Sequence, residues 1–101
     1  MKTNTTFSVL FFTRKLSISV DKLSIYARIT INGKRSEISL KRIVLVSEWD
    51  VDKARCRGNA SKIKFLNAYL DEVYSKILDC QKQLFSEGKM VSANSIKARY
   101  Y

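Results

Sequence analysis

The chain has 101 residues, 46% of them hydrophobic, with 19 Lys and Arg against 9 Asp and Glu and a net charge of +10 at neutral pH. That length holds one domain around one small core, and the apolar content excludes an intrinsically disordered chain. With no histidine and only two distant cysteines, Cys56 and Cys80, a disulfide framework and a zinc site are excluded, and a reduced, cytoplasmic protein fits best.

The charge is uneven: residues 1–62 carry 13 Lys and Arg against 5 acids, and residues 63–101 carry 6 against 4. A basic half of this kind points to nucleic acid or an anionic surface as partner. A membrane is rejected as the partner. The apolar run Phe7–Phe12 is too short to span one, and because Arg14 and Lys15 follow it at once with no cleavage site of small residues, a signal peptide is rejected as well.

In chain order, residues 1–6 are polar and expected to fray. Phe7 to Thr13 reads as a strand, and Arg14 to Lys22 as a loop or strand extension. Leu23 to Ile31 and Lys34 to Leu40 flank Asn32-Gly33, the residue pair that a two-residue type I′ turn requires. The turn sets the register. Ile31 faces Lys34, Ile29 faces Ser36, Ala27 faces Ile38 and Ile25 faces Leu40 on the apolar side. On the other side Thr30 faces Arg35, Arg28 faces Glu37, Tyr26 faces Ser39 and Ser24 faces Lys41. A three-stranded antiparallel sheet results, with the first strand beside the second.

Lys41 to Val46 is β-prone, Ser47 is a candidate cap for a short turn, and Trp49 is expected to anchor this crossover to the core. Asp50 to Gly58 reads as irregular, with Cys56 a free surface thiol. From Ser61 the period changes. Ile63, Leu66, Leu70, Val73, Ile77, Cys80 and Leu84 form a seam at spacings of three and four, with Ser61 or Asn59 as cap and Gly88 as the stop. Such a helix, about 40 Å long, exceeds what the sheet can cover, so its C-terminal half should overhang or meet something else. Ser92 caps a second helix from Ala93. The predicted fold class is α+β, a three-stranded antiparallel sheet packed against one long C-terminal helix.

The polar sheet face is either plain solvated surface or a nucleic-acid interface, since a major groove admits a β-ribbon. In the second reading Tyr26, Arg28 and Thr30 sit mid-strand within reach of base edges. Lys34, Arg35, Lys41, Arg42, Arg14 and Lys15 lie at strand ends, where phosphates pass. Two other readings stay open: a protein-interaction module that dimerises through the helix, and an RNA binder. Catalysis is not indicated. Paired carboxylates, a Gly-rich phosphate loop and a nucleophile elbow are all missing, Tyr100 and Tyr101 have no general base beside them, and nothing asks for a cofactor or metal.

Taken together, the Phe-rich first strand, the run Ile25-Tyr26-Ala27-Arg28-Ile29-Thr30-Ile31-Asn32-Gly33-Lys34-Arg35, then Trp49-Asp50, Gly58 and Leu66-Asn67-Ala68-Tyr69-Leu70-Asp71 resemble a known family. It is the N-terminal arm-type DNA-binding domain of tyrosine recombinases, the phage and conjugative-transposon integrases, in the form common among Bacteroides-type mobile elements. The resemblance runs from Phe7 to Lys97. It implies a sheet inserted into the major groove of double-stranded DNA at arm sites, with Tyr26, Arg28, Thr30 and Arg35 at contacting positions. It also implies a division into an arm domain over residues 1–90 and the start of a linker over 91–101. The catalytic residues would then lie in a separate domain, and other recombinase protomers would meet the C-terminal half of the long helix. One departure stands out: Leu40-Lys41-Arg42 replaces the family's Gly-containing turn.

Overall fold

A computed structural model describes residues 6–18 and 20–101. Strands β1 (Phe7–Lys15), β2 (Lys22–Ile31) and β3 (Lys34–Leu45) form an antiparallel sheet in the order β1-β2-β3. A short hairpin, β4 (Trp49–Asp50) with β5 (Arg55–Cys56), leads to the long helix α1 (Ser61–Ser86) and then to α2 (Ala93–Tyr100). The fold is α+β as expected.

Asn32 and Gly33 both take positive φ, 51° and 82°, so the type I′ corner forms and holds the register from Ile31–Lys34 to Tyr26–Ser39. Thr6, expected to fray, is clipped to this corner. Its carbonyl accepts from the Asn32 N–H at 3.1 Å, and its own N–H donates to Asn32 Oδ1 at 3.1 Å. Residues 1–5, the rest of that expected frayed end, lie outside the described residues.

The register then departs from the sequence reading. Ser24 pairs with Ile43 rather than Lys41, because two extra residues of β3 are accommodated opposite Ile25. Lys41 takes φ +56° within this bulge, the left-handed conformation that a glycine would adopt without strain. Side chains alternate with a period of two, so a two-residue insertion leaves the faces unchanged. Val44 still pairs with Leu23, and both are buried. Lys34 to Leu45 is therefore one bent strand and not a strand followed by a separate run.

On the inner face Phe11, Ile25, Ala27, Ile29, Ile31, Ile38 and Leu40 are buried, with Trp49. Against them stand Ile63, Leu70, Val73, Ile77, Cys80 and Leu84 of α1, all buried, with Leu66 partly so. The far end of α1 does not overhang. The chain turns at Gly88 and brings α2 back against α1 and β3, where Ala93 and Ile96 join the core. That turn is a Schellman motif: Gly88 N–H donates to the Phe85 carbonyl at 3.1 Å and Lys89 N–H to the Leu84 carbonyl at 3.0 Å, with Gly88 at φ +73°. Ser92 caps α2 as expected, its Oγ accepting from the Ser95 N–H at 3.0 Å.

Three local expectations need correction. Ala60 is the N-cap residue of α1, so neither Ser61 nor Asn59 caps it. The 3-10 turn at Val46–Glu48 is closed by Glu48, whose carboxylate accepts from the Leu45 N–H at 3.1 Å, and not by Ser47. Asp50 to Gly58 is not irregular throughout, because β4 and β5 pair there. This pairing buries Cys56, whose thiol is pushed up to about 11 by desolvation. Asn67 on α1 locks that hairpin down: its Oδ1 accepts from Cys56 N–H at 2.9 Å and its Nδ2 donates to the Cys56 carbonyl at 3.0 Å.

Candidate nucleic-acid interface

Because Ile25, Ala27, Ile29 and Ile31 go inward, Ser24, Tyr26, Arg28 and Thr30 must project to the opposite face, and each is half-buried there. Pairing with β1 places Ser8, Leu10, Phe12 and Arg14 beside Thr30, Arg28, Tyr26 and Ser24 in turn. From β3 come Arg35, Glu37 and Ser39. One face thus gathers residues from all three strands.

Its centre is a connected network. The Phe12 ring stacks on Tyr26 with centroids 5.6 Å apart. Arg28 lies over the Phe12 ring at 4.4 Å and Arg14 over the Tyr26 ring at 4.7 Å, contacts that draw on the rings' negative faces. Glu37 accepts from Arg28 at 3.1 Å and also from Arg14. Partial desolvation pushes the Glu37 carboxyl up, but hydrogen bonds from Arg28 and Arg14 outweigh it and hold the group below the usual carboxylate range. The two arginines are therefore held upright by a ring on one side and a carboxylate on the other.

The remaining predicted site residues divide by place. Arg35 sits opposite Thr30, one pair from the corner, and Lys34 is exposed at the corner itself. Lys15, opposite Leu23, and Lys41, in the bulge, are exposed near the other end of the sheet. Arg42 does not join them: its guanidinium lies 4.2 Å over the ring of Tyr69 on α1. Sequence reasoning missed Phe12 and Leu10 on this face. A six-residue connection between β1 and β2 does not fix register as a two-residue turn does.

Among the described residues no group of His, Cys, Asp or Glu can hold a metal ion, and no helix is long and apolar enough to cross a membrane. Comparison with curated proteins and with solved structures yields no match. A family model described as the arm DNA-binding domain matches residues 11–97, which takes in β2, β3, all of α1 and most of α2. Arm domains are non-catalytic DNA-binding modules, consistent with the arm-type domains of tyrosine recombinases. With a match over that much of its length, the chain belongs to the arm DNA-binding domain family.

Proposed function

We propose that this domain binds double-stranded DNA by laying the outer face of its sheet into the major groove at arm sites, as the tethering module of a site-specific tyrosine recombinase. The observation that carries this reading is the row of Arg14, Tyr26, Arg28, Thr30 and Arg35 on the sheet face opposite the buried core, flanked by the end of α2. Three strands spaced about 4.8 Å apart span roughly 10 Å, which suits a B-DNA major groove about 12 Å wide. Arg28 is the candidate reader of a guanine edge, and the exposed Leu10 beside it suits a thymine methyl. In this reading Arg14 and Arg35 would meet phosphates, joined from the strand ends by Lys41 and by Lys15 and Lys34, which pair with the inner-face residues Leu23 and Ile31. Arg42, stacked on Tyr69, would contribute to the surrounding field without entering the groove.

The two other readings fare less well. The seam that would form a coiled coil is already covered, since Ile77, Cys80 and Leu84 are buried within this chain. A contact with another protomer would have to use the outward side of α1, where Phe85 is exposed. A-form RNA has a deep, narrow major groove that does not admit a sheet.

The test is binding to duplex DNA across a salt series. Four to six phosphate contacts predict a log–log slope of roughly −4 to −5, and a slope near zero would remove the reading. Amide shift mapping should place the perturbations on Tyr26–Ser39, and a footprint confined to α1 would argue against sheet insertion.

A further inference from the structure

Among the described residues the outer face borders an open cleft of about 470 Å³ between β3 and the last turn of α2, and the cleft shares Arg14, Tyr26 and Glu37 with the central network. Arg14, Arg35, Glu37 and Ser39 line it from the sheet, and Lys97 and Tyr101 from the helical side. Sequence reading drew no interface from α2. The packing of that helix beside the β3 edge is what brings these two groups of residues together.

The charges in the cleft do not cancel. Glu37 is the single acid, and Arg14 and Arg28 already engage it. Arg35 and Lys97 have no ion-pair partner among the described residues. Two uncompensated cations therefore face one open cleft, one from a strand and one from a helix.

Lys97 stands on a fixed support. One residue earlier Ile96 is wholly buried, and three residues earlier Asn94 Oδ1 accepts from Ser36 Oγ of β3. On the other side of the helix Arg99 donates to Glu87 at 2.7 and 2.8 Å, and the Lys76 ammonium lies 4.5 Å over the Tyr100 ring. The ammonium of Lys97 is thus carried by an element docked at four points.

We propose that the cleft between β3 and α2 is a phosphodiester-binding site, in which Lys97 and Arg35 clasp the backbone of the same duplex that the sheet engages. This rests on the duplex-binding reading above and extends it to the helix. A sheet about 10 Å wide in a groove about 12 Å wide brings its edges next to the phosphate walls. On the helical side of the cleft the cation that joins Arg35 is Lys97. The cleft is open to solvent, as a passing strand needs.

The experiment compares the unaltered chain with Lys97→Gln, Lys97→Arg and Lys64→Gln on a short random-sequence duplex by fluorescence anisotropy. Lys64 is exposed on α1 and lies outside the cleft, so it controls for a mere change in net charge. One lost phosphate contact makes the salt slope of Lys97→Gln less steep by about 0.9, so the advantage of the unaltered chain shrinks about 3.5-fold between 50 and 200 mM salt. Lys97→Arg should keep the original slope, and Lys64→Gln should leave it unchanged. A steep slope that Lys97→Gln does not alter would overturn this site while leaving the duplex reading in place. The same holds if Lys97→Gln and Lys64→Gln behave alike, since that is a long-range field effect. A flat slope in the unaltered chain would overturn both.

Discussion

The two faces of the sheet are built from alternate residues of the same strands, yet they hold by different physics. The inner face is a run of Ile, Leu, Ala and Phe that the helices and the β4–β5 hairpin cover, and its contribution is non-directional apolar burial. The outer face is held by directional contacts: a stacked ring pair, two guanidiniums and one carboxylate. Exposed ion pairs and cross-strand pairs each contribute only about 0.2–1 kcal/mol. The difference teaches that the inner face supplies stability, whereas the outer face is organised at low cost and remains free to exchange its contacts for those of a ligand.

The largest effect should come from breaking the inner face. Ile29 is wholly buried in the middle of β2. Ile29→Ala should lower unfolding free energy by about 2–5 kcal/mol in urea denaturation, through lost burial plus the cavity left behind. Its neighbour one residue away supplies the contrast. Arg28→Ala should cost less than about 1 kcal/mol of stability, yet reduce affinity for a preferred duplex by about 1–3 kcal/mol and relax the sequence preference. If Arg28→Ala weakened every sequence equally, Arg28 would contact phosphate and not a base. If it unfolded the domain, the division of labour between the faces would be wrong.

The inner face was the more legible of the two, for a physical reason. Strict alternation across a two-residue turn forces Ile25, Ala27, Ile29 and Ile31 to one side, and the corner alone fixes their partners as far as Tyr26 and Ser39. The seam of α1 follows likewise from its period. What could not be read depended on contacts between segments distant in sequence. The register of β1, which carries Phe12 and Leu10 to the outer face, follows from pairing across a longer connection. The clasp of Asn67 on Cys56 spans eleven residues, and the placing of Lys97 beside Arg35 requires α2 to fold back. The bulge stayed hidden because Lys41 adopts a glycine-like conformation without being glycine.

That hidden feature gives a smaller effect of opposite sign. A left-handed residue bearing a Cβ costs about 1 kcal/mol, of which the extra freedom of glycine in the unfolded chain takes back about half. Lys41→Gly should therefore raise stability by roughly 0.5 kcal/mol. Thermal denaturation would read this as a small rise in Tm, while DNA affinity falls slightly with the lost cation. A drop in Tm would mean that the Lys41 side chain, and not only the backbone, supports the bend.

Acid is the mildest probe, and it reaches the inner face only through its cover. Hydrogen bonds from Arg99 and then Lys89 hold the Glu87 carboxyl down at about 2, against an ordinary value of 4.5. A carboxylate depressed in the folded state contributes stability that is fully present above its unfolded pKa and is lost as pH falls through its folded one. For Glu87 the window is therefore from 4.5 down to about 2. Glu37 and Glu48 are depressed too, so the whole domain should weaken in acid and a single titration would not isolate one pair. The difference between the unaltered chain and Glu87→Gln isolates it. The variant should be the less stable above pH 4.5, and the two should converge as pH approaches about 2, with the change in amide exchange concentrated in α2. A constant difference across that range would show that the ion pair does not hold α2 in place, and that the burial of Ala93 and Ile96 suffices.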